Sequence, residues 1–370
     1  MRPGISLPAA FCQLLSLTFS VNSGENVLQD IQSASLAEIR RYGLTPWVFS
    51  WIKLHRQEDR LPPDLLQELR QDFTQQLLRS TMQQNEIREV LSALADAGLE
   101  IILLKGADLA WRVYGDPAFR PMSDLDLLLA PEDIPAARVL LTKLGYRPYS
   151  LHRDKRLLIN EVLYTPSEGR ILWVDLHWEL VAACSFYYLP YRPLRAAALS
   201  HDFYGLPSLT LSPEHLLIHL CLHAFENFPA LPQILDLALV VSRLSLRWPK
   251  VVQEAGGFGC QLPVCLVLQE IARLVPGKIP AAALAQLGSP QPSFLEMMVL
   301  RPRLRYLTLA LPFFYRHRSL RQWFQFIGAN FWPHYEALET QGNRWARPQY
   351  LKDLLDKFLA KFRPQNSPDG

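Results

Sequence analysis

The hydrophobic period of this chain changes twice, and that change limits the possible fold more than any single motif does. Up to Gly98, apolar residues recur at three- and four-residue spacing, as on one face of a helix. They do so in Leu36 to Arg41, Trp47 to His55, Asp64 to Arg79, and Asn85 to Ala97, where Ile87, Val90, Leu91 and Leu94 share a face. Pro46 and Leu61-Pro62-Pro63 punctuate these units, and Gly98 stands where a left-handed C-cap ends a helix. Leu99 to Leu104 is then a short apolar run, long enough for a buried strand and too short for a helix. Lys105-Gly106 makes a turn into a helix over Ala107 to Tyr114. A second strand follows at Ser123 to Leu129, and a helix runs from Pro131-Glu132-Asp133 to Leu144. Two further extended runs, Leu157 to Tyr164 and Ile171 to Trp178, flank the hairpin-type connection Pro166-Ser167-Glu168-Gly169. From Pro213 the helical period returns in Glu214 to Phe225, Leu231 to Leu244, Leu262 to Leu274 and Phe294 to Leu311.

The expected architecture is α+β: a small mixed sheet, with strands only between about residues 99 and 180, set between helical segments. The expected organisation is a helical region over 1–80, an α/β core over 81–205, a helical domain over 206–363 and a frayed tail over 364–370. The 370-residue length fits two or three packed units. A hydrophobic content of 49% against 20% charged residues supports a sizeable core.

A net charge of +3 lacks the basic excess of most nucleic-acid binders, which disfavours a nucleic-acid partner. Cys12, Cys184, Cys221, Cys260 and Cys265 include no CxxC pair, so a zinc knot or disulfide framework is disfavoured and free thiols are expected. Pro8 and Gln13 interrupt the apolar stretch Ile5 to Phe19, which argues against a signal peptide. The best membrane-span candidate, Leu295 to Phe314, is broken by Arg301, Arg303 and Arg305. A cytoplasmic protein without a membrane span is expected.

Chemistry concentrates in Ser123-Asp124-Leu125-Asp126-Leu127-Leu128-Leu129. Alternation along a strand puts Asp124 and Asp126 on one face and Leu125 and Leu127 on the other. Two such carboxylates about 4 Å apart repel by roughly 4 kcal/mol at an effective dielectric of about 20. A divalent cation removes that repulsion, and an all-oxygen set favours magnesium; separate solvation of the two acids is the competing reading. In Trp173-Val174-Asp175-Leu176-His177-Trp178, Asp175 and His177 likewise share a face. If this run pairs near the first, three carboxylates can hold two ions, the arrangement that activates an attacking oxygen and stabilises a leaving pyrophosphate. The competing role for Asp175 is a bond to a neighbouring amide. Lys105-Gly106-Ala107 precedes a helix, whose N-terminal amides attract phosphate.

Lys105-Gly106, Tyr114-Gly115-Asp116-Pro117, Arg120, Asp124-Leu125-Asp126, Gly145-Tyr146 and Asp175-Leu176-His177-Trp178 together resemble an uncharacterised bacterial nucleotidyltransferase family of the DNA polymerase β-like superfamily. The resemblance extends upstream through Tyr42-Gly43-Leu44-Thr45-Pro46 and downstream through Leu216 to His223 and Asp236-Leu237-Ala238. It implies a nucleotidyltransferase core with Asp124, Asp126 and Asp175 as metal-binding, catalytic acids. It also implies magnesium or manganese, an NTP as co-substrate and release of pyrophosphate. The acceptor stays open between a sugar phosphate, a peptide or protein hydroxyl and a small metabolite. Partner proteins from a biosynthetic cluster are a further expectation. Gly106 matches the glycine after the first strand, but Ala107 stands where the superfamily has a hydroxyl or glycine. Lys105, Arg120 and Ser123 are the candidates to contact phosphate instead, and His177 is placed to orient Asp175 or touch phosphate. The missing hydroxyl keeps a catalytically inactive nucleotide- or partner-binding protein as the alternative.

Two other patterns carry less. His215, His219 and His223 recur every fourth residue. A helix rotates by about 40° over each such step, so the reading adopted is packing between the helical region and the α/β unit rather than zinc chelation. Arg301, Arg303, Arg305, Arg316, His317, Arg318 and Arg321, interleaved with aromatics, are read as a solvated face, with binding of an anionic acceptor as the competing reading.

Overall fold

The computed structural model describes residues 31, 36–149, 161–181, 187–203, 205–227 and 231–288. The run Ile5 to Phe19, the helix expected at Phe294 to Leu311, the arginine-rich cluster and the tail lie outside the described residues. So do Cys12 and Cys184.

Three helices open the fold: α1 (Leu36–Arg41), α2 (Thr45–Leu54) and α3 (Pro63–Asp96). Proline in the first turn of α2 and of α3 suits positions whose backbone N–H has no helical partner anyway. After Gly98, whose φ of 73° only glycine adopts freely, come β1 (Ile102–Leu103), α4 (Lys105–Arg112), β2 (Asp124–Leu128) and α5 (Ile134–Lys143). The chain continues through β3 (Arg147–Pro148), β4 (Glu161–Thr165), β5 (Trp173–His177), α6 (Tyr191–Ala196), β6 (Leu199–Phe203) and β7 (Leu206–Thr210). Helices α7 (Pro213–Asn227), α8 (Leu231–Arg243), α9 (Trp248–Gly257), α10 (Gln261–Leu274) and α11 (Ala281–Leu287) complete it.

The seven strands form one mixed sheet in the order β3-β4-β5-β2-β1-β7-β6. β2 runs parallel to β5 and antiparallel to β1, while β1 runs parallel to β7. Period-two alternation gives each face its own core. Leu125, Leu127, Val174 and Leu176 pack with Ile87, Val90, Leu91 and Leu94 of α3 and with Leu141 of α5. On the opposite face, Ile102, Leu104 and Leu128 join a second core with Leu216, Leu217 and Leu220 of α7 and much of α8 and α10. The acids share that second face with Leu128, beneath the C-terminal helices.

Three expectations need correction. The stretches Asp64 to Arg79 and Asn85 to Ala97 are one continuous helix of 34 residues, which crosses the boundary expected at residue 80. Its polar middle does not break because Gln83 is buried and donates to the Met122 carbonyl at 2.7 Å. Strands do not stop near residue 180: the β6–β7 hairpin turns through Gly205, with φ of 81°, and adds two strands to the sheet. The sheet therefore continues past residue 205. Leu99 to Leu104 pairs as a strand only at Ile102–Leu103, because Lys105 already begins α4.

Candidate active site

Parallel pairing of β2 with β5 sets Asp126 directly beside Asp175, with Asp124 opposite Trp173 and Leu128 opposite His177. Antiparallel pairing of β4 with β5 sets Glu161 opposite His177. Because paired residues share a face, four titratable side chains from three strands meet on one side of the sheet. Asp126 and His177 are each 3% exposed.

His177 is the hub. Its Nε2 lies 2.9 Å from Asp126 Oδ1 and 3.4 Å from Asp175 Oδ2. Its Nδ1 lies 3.1 Å from Glu161 Oε2, within ion-pair distance though not in line for a hydrogen bond. Lys105 Nζ donates to Asp126 Oδ1 at 2.8 Å. That lysine begins α4 with φ of 39°, a left-handed conformation that strains a residue bearing a Cβ. Gly106 follows it, and a Cβ there would meet Met122 Cβ at 3.3 Å. Glycine thus lets the first turn of α4 lie against the start of β2.

Burial and charge drive these groups apart in acidity. Burial alone would raise the Asp126 carboxyl, but Lys105 and His177 hold it far below the usual carboxylate range. Burial opposes protonation of His177, yet Asp126 and Glu161 lift it to about 9. Asp175 moves the other way: burial pushes it up to about 7, with the charges of Glu161 and Asp126 adding to the effect. Asp124 is also raised, by burial and by its neighbour Asp126.

Asp126, Asp175 and His177 each offer one ligand atom, and the three atoms lie within 4.8 Å of one another. Asp175 Oδ1 is buried without a hydrogen-bond partner. Two carboxylates and an imidazole, one carboxylate oxygen being orphaned, form a donor set that fits a divalent cation. Asp124 stands two residues back on the same face of β2, outside that group, and its Oδ1 accepts from the Ser123 hydroxyl at 3.1 Å. Arg120 turns elsewhere. Its Nε and Nη2 donate to Asp236 of α8 at 2.8 and 2.9 Å, and the Tyr114 hydroxyl donates to the same carboxylate at 2.7 Å. Ala107 is buried in the core beneath the sheet, so a hydroxyl at that position would face apolar side chains.

Glu161 had no place in the sequence reading. Its signal was register: it lies on the strand that hairpins onto β5, at the position facing His177. Among the histidines of α7, His215 and His219 are buried and His223 is partly so; the His215 ring packs on Phe258, within the helical part.

An α+β core that gathers acids and a lysine on one sheet face, beside a helix with glycine in its first turn, has the makings of a phosphate-handling transferase. The family shows which: residues 31–276 match the family described as uncharacterised nucleotidyltransferase, and the chain belongs to it. No curated protein matches. Among solved structures, the antibiotic-resistance factor ANT(2'')-Ia aligns at 18% identity and TM-score 0.37, over 50% of this chain and 94% of that one. The same protein in complex with adenylyl-2''-tobramycin aligns at 16% and 0.34, over 52% and 98%. An antigenic nucleotidyltransferase-like protein from Paracoccidioides brasiliensis aligns at 15% and 0.39, over 56% and 93%. Among the described residues, no helix is long and apolar enough to cross a membrane.

Proposed function

We propose that this nucleotidyltransferase moves an NMP from an NTP to an acceptor hydroxyl, with magnesium or manganese and with release of pyrophosphate. The observation that supports it most is the register pairing of Asp126 with Asp175, with His177 against both. In this reading Asp126, Asp175 and His177 hold the cation, and Asp124 adds an oxygen on the phosphate side. The cation, when bound, neutralises the carboxylates and polarises the phosphate.

The protein's own groups do the rest. Lys105 and the amides opening α4 at Gly106 receive the phosphates, with the Ser123 hydroxyl beside Asp124. Asp175 takes the proton of the acceptor hydroxyl as that oxygen attacks the α-phosphorus. The bond from the α-phosphorus to the bridging oxygen breaks and pyrophosphate leaves in line. Arg120 supports the site from behind, by tying the start of β2 to Asp236.

The acceptor class stays a sugar phosphate, a peptide or protein hydroxyl, or a small metabolite. The test is incubation with each α-labelled NTP, magnesium or manganese, and fractionated extract, following pyrophosphate and label transfer. Transfer that disappears in Asp175→Asn, a variant whose stability is expected to hold, supports the reading. Cation-independent nucleotide binding with no turnover in any fraction overturns it in favour of a non-catalytic binder.

A further inference from the structure

Among the described residues, His219 is a strongly buried histidine for which the proposed chemistry has no use. It is 1% exposed, and neither of its ring nitrogens has a hydrogen-bond partner among the described residues. Leaving a buried polar group unpaired is unfavourable, so such a group usually has a function or a missing partner. Its position is informative. β7 runs parallel to β1 with Thr210 beside Leu103, so α7 starts at the end of the sheet where Lys105 follows β1. α7 packs over the sheet face that carries Leu128, which is the face of Asp126 and Asp175. The His219 ring centre lies 6.3 Å from that of His223, with the two planes tilted by 54°. Lys105 is the charge acting most strongly on His219, with His223, His177 and Asp126 also in range. Burial and that lysine keep the ring neutral, so it retains an N–H donor.

α7 thus brings a neutral imidazole donor to the side of the sheet on which the Lys105 ammonium donates to Asp126. Asp126, the carboxylate whose charge acts on that ring, is already taken by Lys105 and His177. What satisfies both donors is a group that only accepts, and phosphate oxygens are such a group. We propose that His219 is a contact for the nucleotide's triphosphate, reaching it from α7 while Lys105 reaches it from the end of β1. This rests on the nucleotidyl-transfer reading above and assigns to it a residue from the helical half.

His215 is the internal comparison. It is equally buried on the same helix and its ring nitrogens also lack a hydrogen bond, but its Nε2 lies within ion-pair distance of Glu254 of α9, at 3.3 Å, and its ring packs on Phe258. The experiment measures calorimetric binding of magnesium tripolyphosphate and of a non-transferable NTP analogue to the full chain, with melting curves for each variant. Wild type binds both probes; His219→Phe weakens both by about tenfold or more. His219→Gln, which keeps an N–H donor, recovers most of the loss, and His215→Gln binds as wild type does. In the wild type, the His219 side-chain ¹⁵N signal, assigned from its absence in His219→Gln, shifts when tripolyphosphate is added. Unchanged affinity in His219→Phe, equal losses in His219→Gln and His215→Gln, or a static His219 signal overturns the proposal. Binding of the NTP analogue but not tripolyphosphate overturns it while sparing nucleotidyl transfer. Failure of the wild type to bind either probe sinks both.

Discussion

Asp126 and Asp175 are neighbours across two parallel strands, yet one carboxyl is held far below its usual acidity range and the other is lifted to about 7. The asymmetry comes from Lys105, which donates to Asp126, and from His177, whose Nε2 lies closer to Asp126 than to Asp175. It makes the two acids separable by mutation. Asp126→Asn leaves Lys105 and His177 without their shared anion and destabilises the fold by about 3–5 kcal/mol. Asp175→Asn removes a carboxylate that is costly to ionise where it stands, so stability at pH 8 is unchanged or higher. Both variants lose transfer. Urea unfolding beside an activity assay checks the split, and equal destabilisation by the two changes contradicts it.

The same cluster fixes a pH dependence for EDTA-treated protein. His177 rises from 6.5 to about 9, so its stabilising contribution is full below about 6.5 and is lost as pH climbs through 9. Asp175 rises from 3.8 to about 7; the unfolded chain ionises first, so stability falls across that interval as well. Asp126 is depressed, and its contribution is lost only in strong acid. Melting temperature therefore falls from pH 6 to pH 9.5, and His177→Gln flattens the upper part of the curve. Cation binding must displace protons, so the melting shift produced by manganese is larger at pH 8.5 than at pH 6. A flat curve, or a shift that shrinks as pH rises, goes against this account.

Arg120 and Asp236 form a buried bidentate pair that joins the start of β2 to α8. Arg120→Ala leaves Asp236 charged and buried beside Tyr114 alone, a loss of about 3–5 kcal/mol. Arg120→Ala paired with Asp236→Leu recovers part of it, since replacing both partners removes the orphaned charge. Denaturant midpoints for the single and double variants decide the matter, with a double variant worse than either single as the contrary result.

Gly106→Ala sets a methyl 3.3 Å from Met122 Cβ and 3.9 Å from the Asp124 carbonyl. Either α4 or the start of β2 must shift, at about 1–3 kcal/mol. Because Asp124 moves with that shift, transfer falls by more than stability does. Full activity at unchanged Tm would show that the close approach of α4 to β2 does not matter.

Much of the site was readable because strand alternation is a short-range rule. It places Asp124 with Asp126 and Asp175 with His177 from sequence alone, and the structure keeps both pairs on one face. Pairing partners are not short-range, and that is where reading stopped. Glu161 faces His177 only through the β4–β5 register. Glu86 is a helix residue, yet it accepts the Ile171 and Leu172 amides at 2.8 and 3.0 Å and so aligns the start of β5 from far away in the chain. Arg120 illustrates the same limit: its place in a family motif suggested phosphate, while its guanidinium lies on Asp236 of a helix more than a hundred residues on. The β6–β7 hairpin escaped notice because its strands are only five residues each and carry Ser, His, Asp and Pro among their apolar positions.

The central claim is that Asp126 and Asp175, brought together by parallel strands, jointly hold a divalent cation. Titration of manganese followed by electron paramagnetic resonance tests it without any knowledge of the acceptor. Wild-type protein should bind manganese tightly enough to quench the free-ion signal, and Asp126→Asn and Asp175→Asn should each leave that signal free. Manganese bound equally well by wild type and both variants would contradict the claim.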